Sequence, residues 1–199
     1  MRQKQNKLTI LDIGGHIGTH TVLYSRLLNC DVHTFEPQRK IFEILKKNVN
    51  DNNLSNCKTY NCAVGHQTIA TTMSKMLYDG YDCEIEYDTN KTLNYGGMGL
   101  GKNGEKVQMI KIDDLNLPGC DYIKIDVEGA EILALIGAKT TIETYKPVIW
   151  YEHTDKFVTQ EMIESLNIDF EIPSVNVFLQ SLGYKIYNLD QYNLLAIFE

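Results

Sequence analysis

The stretch LTILDIGGHIGTHTVLYSRLL, from Leu8 to Leu28, indicates a strand, a glycine-rich bend and a helix in direct succession. The run 8–13 is apolar and predicts a buried strand, whereas residues 20–28 carry apolar side chains at helical spacing. Three glycines stand between them, and Asp12 precedes the bend at the strand end. Such a unit is typical of α/β proteins that bind a nucleotide-like ligand at the bend.

The spacing of the glycines distinguishes between three kinds of glycine-rich loop. A Walker loop needs G-x-x-x-x-G-K-[ST] after a strand, and the nearest stretch, GGMGLGKN at 96–103, lacks the Ser or Thr. A dinucleotide loop needs G-x-G-x-x-G, but His16 occupies the position of the middle glycine, which the pyrophosphate approaches. The pattern D-x-G-x-x-x-G, from Asp12 through Gly14 to Gly18, suits a ligand that has a nucleoside and an amino acid but no phosphate. S-adenosylmethionine is such a ligand.

Two further acidic positions lie at predicted strand ends. Glu36 ends the strand 31–35 and lies 24 residues after Asp12, where a carboxylate accepts hydrogen bonds from ribose hydroxyls. Asp126 and Glu128 stand where the buried strand of IKIDVEGAE leaves the sheet. Ligands of open α/β sheets bind outside the carboxyl ends of the strands, so Asp12, Glu36 and Asp126 should converge on one crevice. A positively charged ligand would offset their mutual repulsion, whereas Glu131 is expected to stabilise the start of the next helix.

Apolar and amphipathic runs alternate along the rest of the chain, which indicates a parallel sheet with helices on both faces. The strands 184–189 and 193–198 are joined by three residues, too few for a parallel crossover, and predict an antiparallel hairpin. The predicted fold class is therefore α/β, a mostly parallel seven-stranded sheet with this hairpin at its C-terminal end. Residues 1–199 are expected to form a single domain, in which the polar stretch 66–106 is an insertion that covers the substrate. Other predicted elements are strands 57–64, 107–112, 122–127 and 147–152 and helices 39–50, 130–136, 160–166 and one that begins after Ser174.

Composition narrows the class of protein and of partner. The chain has 199 residues, 43% hydrophobic and 23% charged, which is ordinary for a globular protein with one core. Its net charge of −7 argues against a nucleic-acid partner, which would need a basic face. Five cysteines without a C-x-x-C pair, no apolar leader in MRQKQNK and no long apolar run predict a cytoplasmic protein without a membrane partner.

Six motifs in this order, DIGGHIGTHT, TFEPQ, NCAVG, NYGGMGL, IKIDVEGAE and PVIWYE, resemble those of the FkbM-type S-adenosylmethionine-dependent methyltransferases. The resemblance runs from about Leu8 to Glu152. It implies a Rossmann-like methyltransferase fold and O-methylation of hydroxyls, commonly on sugars, glycolipids or polyketides. His16 stands where family members often carry Asn, and both side chains can form hydrogen bonds.

The motifs and the resemblance together predict three sets of site residues. The set expected to bind the cofactor S-adenosylmethionine, which becomes S-adenosylhomocysteine, is Asp12, Gly14, Gly15, His16, Gly18, Glu36, Pro37, Ala63 and Asp126. The set expected to bind a small-molecule or glycan acceptor is Asn94, Tyr95, Gly96, Gly97, Glu128 and Glu152. The catalytic pair is His153, preferred because histidine titrates near neutral pH, with Asp126 as the alternative. No metal site is predicted, although Asp126, Glu128 and His153 could supply oxygen and nitrogen ligands.

Methyl transfer to an alcohol requires an aligned nucleophile and a base. The nucleophile and the methyl carbon must be held roughly 3–3.5 Å apart, and a positioned base typically contributes about 10²–10⁴-fold. Further base candidates near the crevice are Glu128, Glu152, His16 and His20. The tyrosines at 78, 81, 87 and 95 could stack on a sugar, and Trp150 is expected to be a core residue. Three alternatives remain open: a nicotinamide-dependent oxidoreductase, a non-catalytic binding module and an RNA methyltransferase.

Overall fold

The computed structural model describes residues 7–27, 29–74, 76–78, 84–86, 95–152 and 158–199, and gives only the backbone of 76–78, 84–86 and 95. The strands in these ranges are β1 Leu8–Ile13, β2 Cys30–Phe35, β3 Cys57–Tyr60, β4 Ala63–Val64, β5 Ile69–Ser74, β6 Met76–Tyr78, β7 Glu84–Glu86, β8 Asn103–Ile110, β9 Tyr122–Ile125, β10 Val148–Glu152, β11 Tyr184–Asn188 and β12 Asn193–Phe198. The helices are α1 Thr19–Leu27, α2 Arg39–Asp51, α3 Glu131–Gly137, α4 Lys139–Tyr145, α5 Gln160–Ser165 and α6 Val175–Ser181. Two short 3₁₀ helices cover Tyr95–Gly97 and Ile112–Leu115.

The main sheet confirms the predicted fold class. Among the described residues it has seven strands in the order β11-β12-β10-β9-β1-β2-β3. β10, β9, β1, β2 and β3 run parallel, and β12 and β11 are antiparallel to their neighbours. The chain adds strands on one side of β1 and then on the other, so the strand order reverses between β1 and β9. A crevice forms at such a point, outside the carboxyl ends of the strands.

The alternation of side chains along the strands divides the core between the two faces of the sheet. Ile10 and Val32 are buried on one face, where Tyr24 of α1 packs against them. Leu11 and Ile123 are buried on the other face, together with residues of α3 and α6. The prediction of helices on both faces is thereby confirmed.

The C-terminal unit follows the sequence signals closely. The hydroxyl of Ser174 accepts a hydrogen bond from the amide of Val177 at 3.3 Å and caps α6. Gly183 has a φ of +89°, the left-handed conformation that favours glycine after a helix. The hairpin pairs Tyr187 with Leu195 in antiparallel register, as predicted. No helix in the described ranges combines the length and the apolar composition that crossing a membrane requires.

The segment after β3 differs from the sequence prediction. The expected strand 57–64 is two strands, because the chain turns at Asn61, whose side-chain amide donates to the carbonyls of Glu36 and Pro37 at 2.9 and 3.0 Å. β4 instead joins a separate three-stranded sheet in the order β4-β8-β5. The predicted strand 107–112 is β8, which begins and ends earlier and lies in this second sheet. β5 lies in the stretch 66–106 and pairs with β8 in antiparallel fashion.

The sequence analysis missed α4, which follows α3 almost directly. Its sequence, KTTIETY, is too polar for a helical period to stand out. Asp113 accepts hydrogen bonds from the amides of Thr140 and Thr141 at 3.0 and 2.8 Å, and these amides lie in the first turn of α4. A side chain from a distant part of the sequence therefore stabilises the start of this helix.

Candidate functional site

A cavity of about 350 Å³ lies at the carboxyl edge of the main sheet, at the point where the strand order reverses. Its walls come from the loop after β1, the ends of β2, β9 and β10, β4, and parts of the second sheet. Nine predicted site residues line it: Gly14, His16, Glu36, Pro37, Ala63, Gly96, Asp126, Glu128 and Glu152. Residues that are far apart in the sequence thus converge on one crevice.

The glycine loop after β1 is packed closely against its neighbours. Gly14 has a φ of +82°, and a Cβ there would lie 1.8 Å from the carbonyl oxygen of Asp126. A Cβ on Gly15 would lie 2.1 Å from the Thr34 hydroxyl oxygen. The amides of Gly14 and Gly15 both donate to the carbonyl of Phe35, at 3.1 and 2.9 Å. Glycine is therefore required here by contact with β9 and β2, before any ligand is considered.

Asp12 lies beneath this loop and is completely buried. Its Oδ2 accepts a hydrogen bond from the hydroxyl of Thr21 at 2.5 Å, and its Oδ1 lies 3.6 Å from Nζ of Lys124. Asp12 is not among the residues that line the cavity. Its expected contact with the cofactor stays a prediction, and the described contacts give it the role of a buried partner of Thr21 and Lys124.

Glu36 forms the wall of the cavity at the end of β2 and is 4% exposed. One carboxylate oxygen accepts from the amide of Gln38 at 2.8 Å and the other from the amide of His16 at 3.1 Å. Burial raises the pKa of Glu36 to about 7, against the opposing effect of these two hydrogen bonds. The carboxylate is therefore held in a fixed position, and a ligand that hydrogen-bonds to it would favour its charged form.

Three further carboxylates of the cavity wall form a cluster. Oxygens of Asp126, Glu128 and Glu152 lie within 4.8 Å of one another, and all three side chains are partly exposed to the cavity. Glu128 has a φ of +56°, and the loop that carries it is fixed by Glu131, whose Oε1 accepts from two backbone amides at 3.2 Å. This spacing would also allow a divalent cation to bind, so the expectation of a metal-free site stays a prediction.

Several predicted site residues do not line the cavity or lie outside the described residues. Gly15, Gly18 and Gly97 are described but are not part of the cavity wall. Asn94 and His153 lie outside the described residues, as do the tyrosines at 81 and 87. Tyr95 and the tyrosine at 78 are described by their backbone only. The roles assigned to all of them stay predictions.

The structure adds an apolar wall that the sequence analysis missed. Met73 and Val64 line the cavity from the second sheet, Met98 and Leu100 line it from the segment that precedes β8, and Phe35 lines it from the end of β2. Met73 and Leu100 are brought together by an isolated bridge, a long-range contact without a local sequence signal. The apolar wall and the acidic wall make the cavity amphipathic, as is typical of sites for small molecules and cofactors.

Lys124 is the second feature that the sequence analysis missed. It lies in the middle of β9 and is 2% exposed. Its Nζ donates to the carbonyl of Gly14 at 2.8 Å and lies 3.3 Å from Oδ2 of Asp126. A lysine within a run that predicts a buried strand should have been recognised as an unusual position.

Known proteins are similar to this chain in sequence and in fold. A family model described as the Methyltransferase FkbM domain matches residues 12–186. Methyltransferase 1 from Beauveria bassiana is 24% identical over an alignment of 191 residues, and the match covers 89% of this chain and 72% of that protein.

Two solved structures are similar in fold. The crystal structure of Methyltransferase FkbM from Methylobacillus flagellatus KT has a TM-score of 0.59 at 20% identity and covers all of this chain and 46% of the other. This chain thus spans less than half the length of that relative. SMU.1697c from Streptococcus mutans, solved in complex with SAH, has a TM-score of 0.51 at 11% identity over 96% of this chain and 88% of its own. At these sequence identities, the similarity to the two solved structures is one of fold alone.

Proposed function

This chain belongs to the FkbM methyltransferase family, and we propose that it uses S-adenosylmethionine to methylate a hydroxyl group of a sugar, a glycan or a small metabolite. The observation that carries the proposal is the cluster of Asp126, Glu128 and Glu152 on one wall of the cavity. Carboxylates accept hydrogen bonds from hydroxyl groups and can take their protons. An acceptor rich in hydroxyls is therefore the one that this wall suits best.

The residues of the cavity fit the cofactor. Glu36 is fixed by the amides of His16 and Gln38 and can accept hydrogen bonds from ribose hydroxyls. The apolar wall beside Ala63, formed by residues such as Met73 and Leu100, suits a flat base. When bound, S-adenosylmethionine supplies a methyl group on a positively charged sulfur, which the acidic wall would attract.

The acidic wall would orient the acceptor and remove its proton. Asp126 is placed for this role because it lies at the end of β9, and its side chain is 35% exposed. His153 follows Glu152 in the sequence and is the other proposed base. The neighbouring carboxylates of Glu128 and Glu152 would hold other hydroxyls of the acceptor, which aligns one oxygen for the in-line reaction.

A methyl-transfer assay tests the proposal. Radiolabelled S-adenosylmethionine is incubated with the protein and with monosaccharides, oligosaccharides, small polyols, amines and RNA as separate acceptors. We expect label in the hydroxyl-bearing small molecules, with NMR of the product showing a methyl ether. Labelling of amines or RNA alone would contradict it, and stabilisation of the protein by NAD but not by S-adenosylhomocysteine would indicate an oxidoreductase instead.

Two variants separate the proposed bases. Asp126→Asn and His153→Ala are compared at saturating cofactor, with Thr144→Val on the exposed part of α4 as the matched control. Loss of the base should lower kcat by about 10²–10⁴-fold. If neither variant lowers kcat by more than the control does, neither residue is the base.

A further inference from the structure

A row of side chains crosses the main sheet directly beneath the glycine loop. Thr34, Asp12, Lys124 and Trp150 occupy aligned positions on four neighbouring strands, β2, β1, β9 and β10. Side chains at aligned positions of parallel strands point to the same face, so these four lie side by side. The hydroxyl of Thr21, on α1, donates to Asp12 and lies 3.0 Å from that of Thr34.

Lys124 is the cation of this row. It is almost completely buried, and its ammonium lies 3.6 Å from Asp12, 3.3 Å from Asp126 and 5.9 Å from the centre of the Trp150 ring. Among the described residues, Oδ1 of Asp12 accepts no hydrogen bond, so the lysine supplies its countercharge. A buried ammonium is costly unless it is paired and hydrogen-bonded, and here both conditions are met.

The remaining contact of Lys124 has no role in charge balance. Its Nζ donates at 2.8 Å to the carbonyl oxygen of Gly14, the first glycine of the loop. The two loop amides are held by Phe35, and this carbonyl is held by Lys124. Because Gly14 also packs against the carbonyl of Asp126, the lysine joins the glycine loop to the strand end that carries the acidic wall.

We infer that Lys124 is a positioning residue for cofactor binding: it fixes the carbonyl of Gly14 and thereby sets the loop relative to Asp126. The inference rests on the proposed function, since it requires the cofactor to bind in this cavity. Lys124 itself is not part of the cavity wall, so it acts through the loop rather than by touching the ligand.

The alternative is that Lys124 only balances the buried charge of Asp12. The variant Lys124→Met removes both the countercharge and the hydrogen bond to Gly14, and it leaves Asp12 as an uncompensated buried charge. This variant should lower the melting temperature and can fail to fold. The double variant Asp12→Asn/Lys124→Met removes both charges, so most of the melting temperature should return while the bond to Gly14 stays absent.

Affinity for S-adenosylhomocysteine then separates the two roles. We expect the double variant to bind it about tenfold or more weakly than the single variant Asp12→Asn, which carries the same change at Asp12 and keeps the bond to Gly14. This is the effect of losing one charge-assisted hydrogen bond that holds the loop. Thr21→Val is the matched control, because it disturbs the same buried row without touching the bond to Gly14. The control should bind within about twofold of the wild type, whatever its melting temperature.

Fluorescence of Trp150, the single tryptophan of the chain, provides a reading without ligand. Its emission should change in both Lys124 variants, because the ammonium next to the ring is gone. If the double variant regains its melting temperature and binds S-adenosylhomocysteine as tightly as Asp12→Asn does, Lys124 only balances charge and the inference is wrong. If the wild type itself does not bind, the proposed function fails before Lys124 is in question.

Discussion

Glu36 and Glu131 are two buried glutamates with similar surroundings and different positions. Each is 4% exposed, each accepts hydrogen bonds from two backbone amides, and burial raises the pKa of each to about 7. Glu36 stands at the carboxyl end of a strand and lines the cavity, whereas Glu131 begins α3 and is not part of the cavity wall.

The comparison shows that burial and a perturbed pKa do not by themselves identify a binding residue. Glu131 uses one oxygen for both amides and thereby shapes the loop 127–130. Glu36 uses one oxygen for each amide and still faces the space in which a ligand would lie. Its position at the end of a parallel strand, facing the cavity, is what makes Glu36 the proposed ligand contact, whereas Glu131 anchors a loop.

The largest difference between the two glutamates should appear in cofactor affinity. If Glu36 accepts both ribose hydroxyls as proposed, Glu36→Gln replaces two charge-assisted hydrogen bonds by neutral ones, which should cost roughly 2–3 kcal/mol, or about 30- to 150-fold in the dissociation constant of S-adenosylhomocysteine. Glu131→Gln should stay within about threefold of the wild type. Calorimetric titration of both variants at pH 8 measures this, and equal losses would mean that the two positions are not distinct.

The stability of the fold should depend on pH in the same direction through both glutamates. The pKa of about 7 lies above the ordinary value near 4.5, so each group's contribution to stability is complete below pH 4.5 and is lost as the pH rises to about 7. At pH 8 Glu131→Gln should therefore be more stable than the wild type by about 2 kcal/mol, or roughly 4–8 °C in melting temperature. At pH 4.5 this gain should be absent.

Thermal melts of the wild type and of both glutamine variants across this pH range provide the measurement. A melting temperature of Glu131→Gln that stays below the wild type at pH 8 would show that the buried charge stabilises the loop. The Glu36→Gln variant should be more stable than the wild type at pH 8 and should also bind S-adenosylhomocysteine more weakly. Opposite changes in stability and affinity are expected at Glu36 and not at Glu131.

Cofactor affinity should itself depend on pH through Glu36. The carboxylate must be ionised to accept both ribose hydroxyls, so binding should strengthen as the pH rises through about 7. At pH 6 the dissociation constant should be about tenfold higher than above pH 8, which corresponds to roughly 1.4 kcal/mol. Titrations at both pH values should show this dependence in Glu131→Gln and not in Glu36→Gln.

The smallest expected effect concerns Glu105, an exposed residue of β8. Its carboxylate accepts from the amide of Arg39 at 3.3 Å at the start of α2, and its charge raises the pKa of the nearby Glu36. Glu105→Gln should lower the midpoint of the pH dependence of affinity by about 0.2 to 0.5 pH units. The change is small because exposed charges are well screened. Raising the salt concentration should reduce the difference, and an upward movement would contradict this interaction.

Local sequence signals were sufficient for the main sheet and for one side of the site. Glycine spacing after β1 and the acids at the ends of β2 and β9 follow from short-range pattern, and the structure brings Gly14, Glu36 and Asp126 to one cavity. The antiparallel C-terminal hairpin followed from the length of its link. The start of α6 followed from Ser174, which caps this helix.

The other side of the site depends on contacts between distant segments. The turn at Asn61 sends β4 to a second sheet, where it meets β8, more than forty residues later in the sequence. Met73 and Leu100 reach the cavity only through that sheet. Lys124 was overlooked for a related reason. Alternation places it on a face of β9, but these partners come from two other parts of the chain, the segment 12–14 and Trp150 of β10.

Proton release on binding measures whether the Glu36 carboxylate contacts the cofactor. Because the pKa of Glu36 is raised to about 7, the side chain is only partly ionised near neutral pH, so binding of S-adenosylhomocysteine to the carboxylate should release a fraction of a proton. Titration calorimetry in buffers of different ionisation enthalpy measures this number. The account predicts such a release in the wild type and in Glu131→Gln, and none in Glu36→Gln. Binding without proton release, or a release that Glu36→Gln leaves unchanged, would contradict it.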